Sequence, residues 1–109
     1  MKDEKAYIKH IVVSIEEIFT FLNGCSKEGF LDNRMVQLAV VRNLQTLSDA
    51  CGHLGVLIQN KYSNIPWRKI RGLRNILVHD YLGKTDLDIV WSVVHNNLRE
   101  LKETLIKEL

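Results

Sequence analysis

The stretch DEKAYIKHIVVSIEEIFTFLN, residues 3–23, decides the fold class. Within it Tyr7, Ile8, Ile11, Ile15, Ile18, Phe19 and Leu22 recur at intervals of three and four, the spacing that returns a side chain to one face of a helix at each turn. Gly24 follows where a residue in the left-handed conformation would close that helix. The same period continues down the chain, and no strand-type alternation competes with it.

Ser26 to Leu31 adds room for one further turn. A second long helix is expected from Asp32, as N-cap, to about Gln59, with Met35, Leu38, Val41, Leu44, Leu47, Cys51, Leu54 and Ile58 as its apolar stripe. Gly52 and Gly55 interrupt it, each at a cost of about 1 kcal/mol against alanine, so the helix either bends there or meets another backbone. Lys61 to Ile65 reads as the longest exposed connection. Pro66 suits the first turn of a third helix that runs to Tyr81 or Leu82, ahead of Gly83. A fourth helix opens at Thr85-Asp86-Leu87-Asp88, with Thr85 and Asp88 as a capping-box-like pair, and continues to the C-terminus. Its stripe is Leu87, Val90, Trp91, Val94, Leu98, Leu101 and Leu105. The expected architecture is all-α: an antiparallel bundle of four to five helices.

A chain of 109 residues forms one domain, residues 1–109, with a modest core. There is no run of about 18 apolar residues for a membrane span, and the charged Met1-Lys2-Asp3-Glu4-Lys5 is not followed by the apolar segment of a signal peptide. Cys25 and Cys51, without paired spacing, read as reduced packing residues of a cytoplasmic protein. His10, His53, His79 and His95 lack metal-ligand spacing with cysteines or carboxylates, so neither a metal nor a cofactor is expected. His10 and His95 read as surface or dimer-edge residues, and Trp67 and Trp91 as packing anchors.

The net charge of +2 hides an asymmetry. Residues 61–84 carry Lys61, Arg68, Lys69, Arg71, Arg74 and Lys84 against Asp80 alone, a local +5, which leaves −3 for the remainder. In the middle of this basic segment stands Arg74-Asn75-Ile76-Leu77-Val78-His79-Asp80-Tyr81. It offers a permanent cation, a group that titrates near neutral pH and a phenol within eight residues. Cleavage of a phosphodiester without a metal needs a proton acceptor and donor, and a cation for the charge that builds on the phosphate. On a helical wheel Ile70, Leu73, Ile76 and Leu77 gather on one side, while Arg68, Arg71, Asn75 and His79 line the opposite side. Arg74 and His79 stand about 140° apart, so a site that uses both needs a groove, such as one between two copies of the chain. Tyr81, seven residues from Arg74, lies near it. At the end of this helix His79 feels the negative pole of the macrodipole, and Asp80 likewise favours its charged form. Gly72, in mid-helix, is explained by close approach of another helix, for instance from a partner subunit.

These segments taken together resemble the HEPN superfamily, and within it the HepT-like toxins (the DUF86 group), over essentially the full length. The resemblance rests on Met1-Lys2-Asp3, Asp32-Asn33-Arg34-Met35-Val36-Gln37, Val41-Arg42-Asn43-Leu44, Ile65-Pro66-Trp67, Gly72-Leu73-Arg74-Asn75, His79-Asp80-Tyr81 and Asp86-Leu87-Asp88-Ile89-Val90-Trp91. It implies a helical bundle that forms a homodimer or higher oligomer. It also implies a metal-independent endoribonuclease with Arg74 and His79 of both chains in the dimer cleft. The implied partner is an MntA-like minimal nucleotidyltransferase antitoxin that transfers AMP to Tyr81. Ser48, where relatives often carry glycine, and Cys51-Gly52-His53-Leu54-Gly55 depart from the family pattern and bear on local helix geometry.

The activity expected from these residues is RNA cleavage, with His79 moving protons, Arg74 stabilising the phosphorane and Asn75 orienting the phosphate or His79. Arg68, Lys69 and Arg71 would guide the RNA backbone. The alternative is a non-catalytic adaptor for a nucleotidyltransferase, in which Tyr81 matters and His79 does not. A purely structural helical dimer accounts for the stripes and leaves the clustered charge without a purpose.

Overall fold

The computed structural model describes residues 4–77 and 86–109, with the backbone alone at 75–77. All the regular structure among them is helical. Helix α1 spans Glu4–Phe21, α2 Lys27–Leu31, α3 Arg34–Gly52, α4 Val56–Lys61, α5 Trp67–Leu77, α6 Leu87–Asn96 and α7 Leu98–Ile106.

Helix α1 is the central element. Ile8, Ile11, Ile15 and Ile18 are fully buried, and Gly24 turns the chain beyond its end with a φ of +73°, in the left-handed region expected of it. Two partners run antiparallel to α1. Against α3, Glu4 meets Gly55 while Asn43 donates to the Ser14 carbonyl and the Glu17 carboxylate, so one number rises as the other falls. Against α7, Glu16 pairs with Lys102, and Arg99 lies over the Phe19 ring. Val40, Val41, Leu44, Leu47 and Cys51 of α3, Ile70 and Leu73 of α5, Val90, Val93 and Val94 of α6, and Leu98, Leu101 and Leu105 of α7 close the core. Burial pushes the Cys51 thiol up to about 12, against the opposing pull of Arg71. Cys25 and Cys51 are both free.

The expected helices are present with three changes of detail. The second long helix breaks in two at His53–Gly55, within the glycine-bearing stretch, and resumes as α4. Its N-cap is Asn33, whose side chain accepts from the Val36 N–H, rather than Asp32, which instead caps α2. The fourth helix breaks at Asn97 into α6 and α7, and Asp86, accepting from the Ile89 N–H, caps α6. Thr85, the other proposed capping residue, lies outside the described residues, as do Asp3 and the expected end of the third helix at Tyr81 or Leu82.

The stripe on α3 is also rotated at its start. Met35 is 80% exposed and Leu38 45%, whereas Gln37 is buried. The Gln37 amide donates to the carbonyls of Phe30 and Leu31 at the end of α2, so a polar side chain occupies an inward position with its donors satisfied. Ser48 solves its burial in a similar way, donating to the Leu44 carbonyl at 2.7 Å. Between α4 and α5, the expected exposed connection is partly tucked in: Ile65 is buried, and the indole N–H of buried Trp67 donates to the Tyr62 carbonyl. No helix among the described residues is long and apolar enough to cross a membrane.

Candidate active site

Helix α5 buries Ile70 and Leu73 and turns Arg68, Lys69, Arg71 and Arg74 to solvent. Its packing against the C-terminal half of α3 produces a cleft of about 300 Å³ lined by Ser48, Asp49, Gly52, His53, Arg71 and Arg74. Two features of α3 make this a place for cations. The last turn of a helix carries the negative end of its dipole, and Asp49 adds a full negative charge on the outer face. Arg74 Nε lies 3.4 Å from Asp49 Oδ1, yet 71% of the arginine side chain and 52% of the aspartate remain exposed. The guanidinium is therefore oriented from one side and open to an anion from the other. Arg71 contributes a second positive charge to the same cleft.

Arg71 and Arg74 are thus brought together, while Arg68 and Lys69 are exposed on α5 and do not line the cleft. Asn75 lies on the described backbone of α5, its side chain outside the description; His79, Asp80 and Tyr81 lie outside the described residues altogether. Among the described residues no group of three or more His, Cys, Asp or Glu side chains could hold a metal ion. Over Gly72 and Gly52 there is open space, with no atom within 4 Å of where a Cβ would stand, so the close helix approach expected at Gly72 does not come from this chain's described residues.

Asp49 escaped the sequence reading. It precedes Arg74 by 25 positions on a different helix, and nothing in its neighbours singles it out. His53 and Tyr7 escaped as well. Their rings stack at 4.6 Å and within 8° of parallel, where the α3 C-cap meets the first turns of α1.

The described residues thus form a helical bundle that carries two arginines on a cleft open to solvent. A family model described as "Ribonuclease HepT-like" matches residues 11–108, and the chain belongs to that family. A Methanocaldococcus jannaschii protein, named for gamma-glutamylcyclotransferase and candidate RNase functions, is 34% identical over 97% of this chain. The chain spans 47% of that relative's length. Other relatives are covered nearly end to end. A candidate RNase of Caldanaerobacter subterraneus subsp. tengcongensis is 31% identical over 100% of this chain and 96% of its own. A probable ribonuclease HepT of Thermococcus cleftensis is 30% identical over 93% and 91%. No solved structure matches the chain significantly.

Proposed function

We propose that this chain is a metal-independent endoribonuclease acting as the toxin of a toxin–antitoxin pair in the cytoplasm, with its active site in the cleft of a homodimer. The observation that carries the reading is the solvent-open Arg71–Arg74 cleft in a chain that belongs to a family of ribonucleases. The names of the relatives supply the reaction class.

In this reading His79 takes the proton from a ribose 2′-OH, and the freed oxygen attacks the adjacent phosphorus. The 5′-oxygen of the next nucleotide leaves with a proton returned by a histidine, His79 or its counterpart in the second copy. Arg74 neutralises the negative charge that accumulates on the phosphorane. Asn75 orients the phosphate, and Asp80 favours the charged form of His79. Arg68, Lys69 and Arg71 attract the RNA backbone without regard to sequence.

An MntA-like minimal nucleotidyltransferase antitoxin transfers AMP from ATP to the Tyr81 hydroxyl and releases pyrophosphate. The adduct blocks the cleft by bulk and by repulsion of phosphate.

The test is cleavage of single-stranded RNA in EDTA by protein made without a partner and shown by intact mass to be unmodified. Arg74→Ala and His79→Ala are each expected to lower the rate by about 10²-fold or more. Undiminished cleavage by His79→Ala removes the histidine from the mechanism. Absence of cleavage by the unmodified parent turns the reading toward an adaptor of the nucleotidyltransferase.

A further inference from the structure

The Arg71–Arg74 cleft does not stand alone on its face of the molecule. Asp49 and His53, which line it, also line a second cavity of about 440 Å³ whose other walls are Ala6, Tyr7, His10, Thr46 and Ala50. That volume falls in the roughly 300–1,000 Å³ range of small-ligand clefts. Its surface is mainly apolar, with the stacked Tyr7 and His53 rings as aromatic wall and His10, Thr46 and Asp49 as polar groups. Ala6 in turn belongs to a third cavity, lined by Lys5, Lys9 and Leu109. The three cavities follow one another in the order arginine pair, aromatic cavity, lysine pair.

This order has a chemical meaning. A single RNA strand presents phosphates along its backbone and flat apolar bases to one side. Proteins that hold such strands combine cations that follow the phosphates with aromatic faces on which bases stack. An apolar cavity with an aromatic wall, flanked by Arg71 and Arg74 on one side and Lys5 and Lys9 on the other, matches that alternation. We infer that the Tyr7–His53 cavity is a nucleobase subsite, taking an unpaired base of the RNA next to the phosphate held by Arg74. This rests on the ribonuclease reading and deepens it by adding residues of α1 and the α3 C-cap to the RNA path.

The local structure supports a preformed shelf. The Glu4 carboxylate accepts from the Gly55 N–H, tying the start of α1 to the break between α3 and α4. The His53 N–H donates to the Ala50 carbonyl as the α3 cap. The two segments that carry the stacked rings are thereby linked to each other.

The experiment measures binding of a fluorescein-labelled 2′-O-methyl hexaribonucleotide, which lacks the attacking hydroxyl, to the full chain at low salt. It is repeated with Tyr7→Leu, which keeps apolar bulk against the core, with the exposed His53→Ala, and with an abasic unit at each position in turn. Tyr7→Leu and His53→Ala are each expected to weaken binding on the order of tenfold. One abasic position should weaken the parent by the same factor and erase its difference from the variants. Unchanged affinity in both variants, while Arg74→Ala still abolishes cleavage of ordinary RNA, overturns the subsite and leaves the ribonuclease reading intact. A shift in the monomer–dimer balance instead of RNA affinity overturns it too, since the cavity then holds a second copy. If the parent binds no RNA and Arg74→Ala changes nothing, the ribonuclease reading falls and takes the subsite with it.

Discussion

Arg74 and Asp49 meet with both groups largely in water, so their ion pair contributes little to folding. Exposed pairs of this kind are worth about 0.2–1 kcal/mol. Its effect on RNA is larger in principle, because the carboxylate both points the guanidinium and repels phosphate. Asp49→Ala is therefore expected to move the unfolding free energy by less than about 1 kcal/mol. The same variant should tighten binding of an uncleavable RNA and lower kcat several-fold, because the freed arginine is no longer held where the charge develops. Single-turnover cleavage beside equilibrium binding separates the two effects; equal kcat in parent and variant would assign Asp49 to the surface alone. The sequence singled out Arg74 because a histidine and a phenol follow it within eight residues, and the structure places it on the cleft. Asp49 was not singled out, since its significance arises only when α3 and α5 pack together. The Tyr7–His53 stack was hidden for the same reason: 46 positions separate the rings.

At the scale of the helix, the stripes on α1 and on α6–α7 were readable because each stripe residue is buried or packs against the core, whereas Val13, Phe21, Ile89 and Ile106, off the stripes, are exposed. Helix α3 was misread at its start, where Gln37 is buried by hydrogen bonds to α2 that sequence periodicity does not register. Glycines were ambiguous for a related reason: a stretch containing two of them can bend, break or admit a neighbour. The chain breaks between Gly52 and Val56, whereas α5 runs unbroken through Gly72. With nothing within 4 Å of a Cβ there, Gly72→Ala adds helix propensity without a clash in the isolated chain. Stability in urea is expected to rise by about 0.8–1 kcal/mol at dilutions where the protein is monomeric. In the proposed dimer a facing helix would reverse that gain at higher concentration. A concentration-independent increase with full activity would mean that nothing packs over Gly72.

Across the whole molecule, segments remote in sequence are fastened at one point. Glu108, near the C-terminal end, accepts hydrogen bonds from Lys61 at 2.8 Å and from the Tyr62 hydroxyl, and the charge of Lys5 acts on it as well. These contacts join the end of α4 to the segment beyond α7. The bonds from Lys61, then that from Tyr62, hold the Glu108 carboxyl below its ordinary value of 4.5. A depressed carboxyl pKa favours the folded state above about pH 4.5, and that contribution disappears as the pH falls through the folded value. Lys61 is shifted upward, first by its bond to Glu108, so its contribution is complete below 10.5 and fades above it. The fastening is thus strongest between these limits. Glu108→Gln should lower the melting temperature at neutral pH and flatten the loss of stability as the pH falls below 4.5, as followed by circular dichroism. Parallel curves for parent and variant across that range would show that the acid limb belongs to other carboxylates.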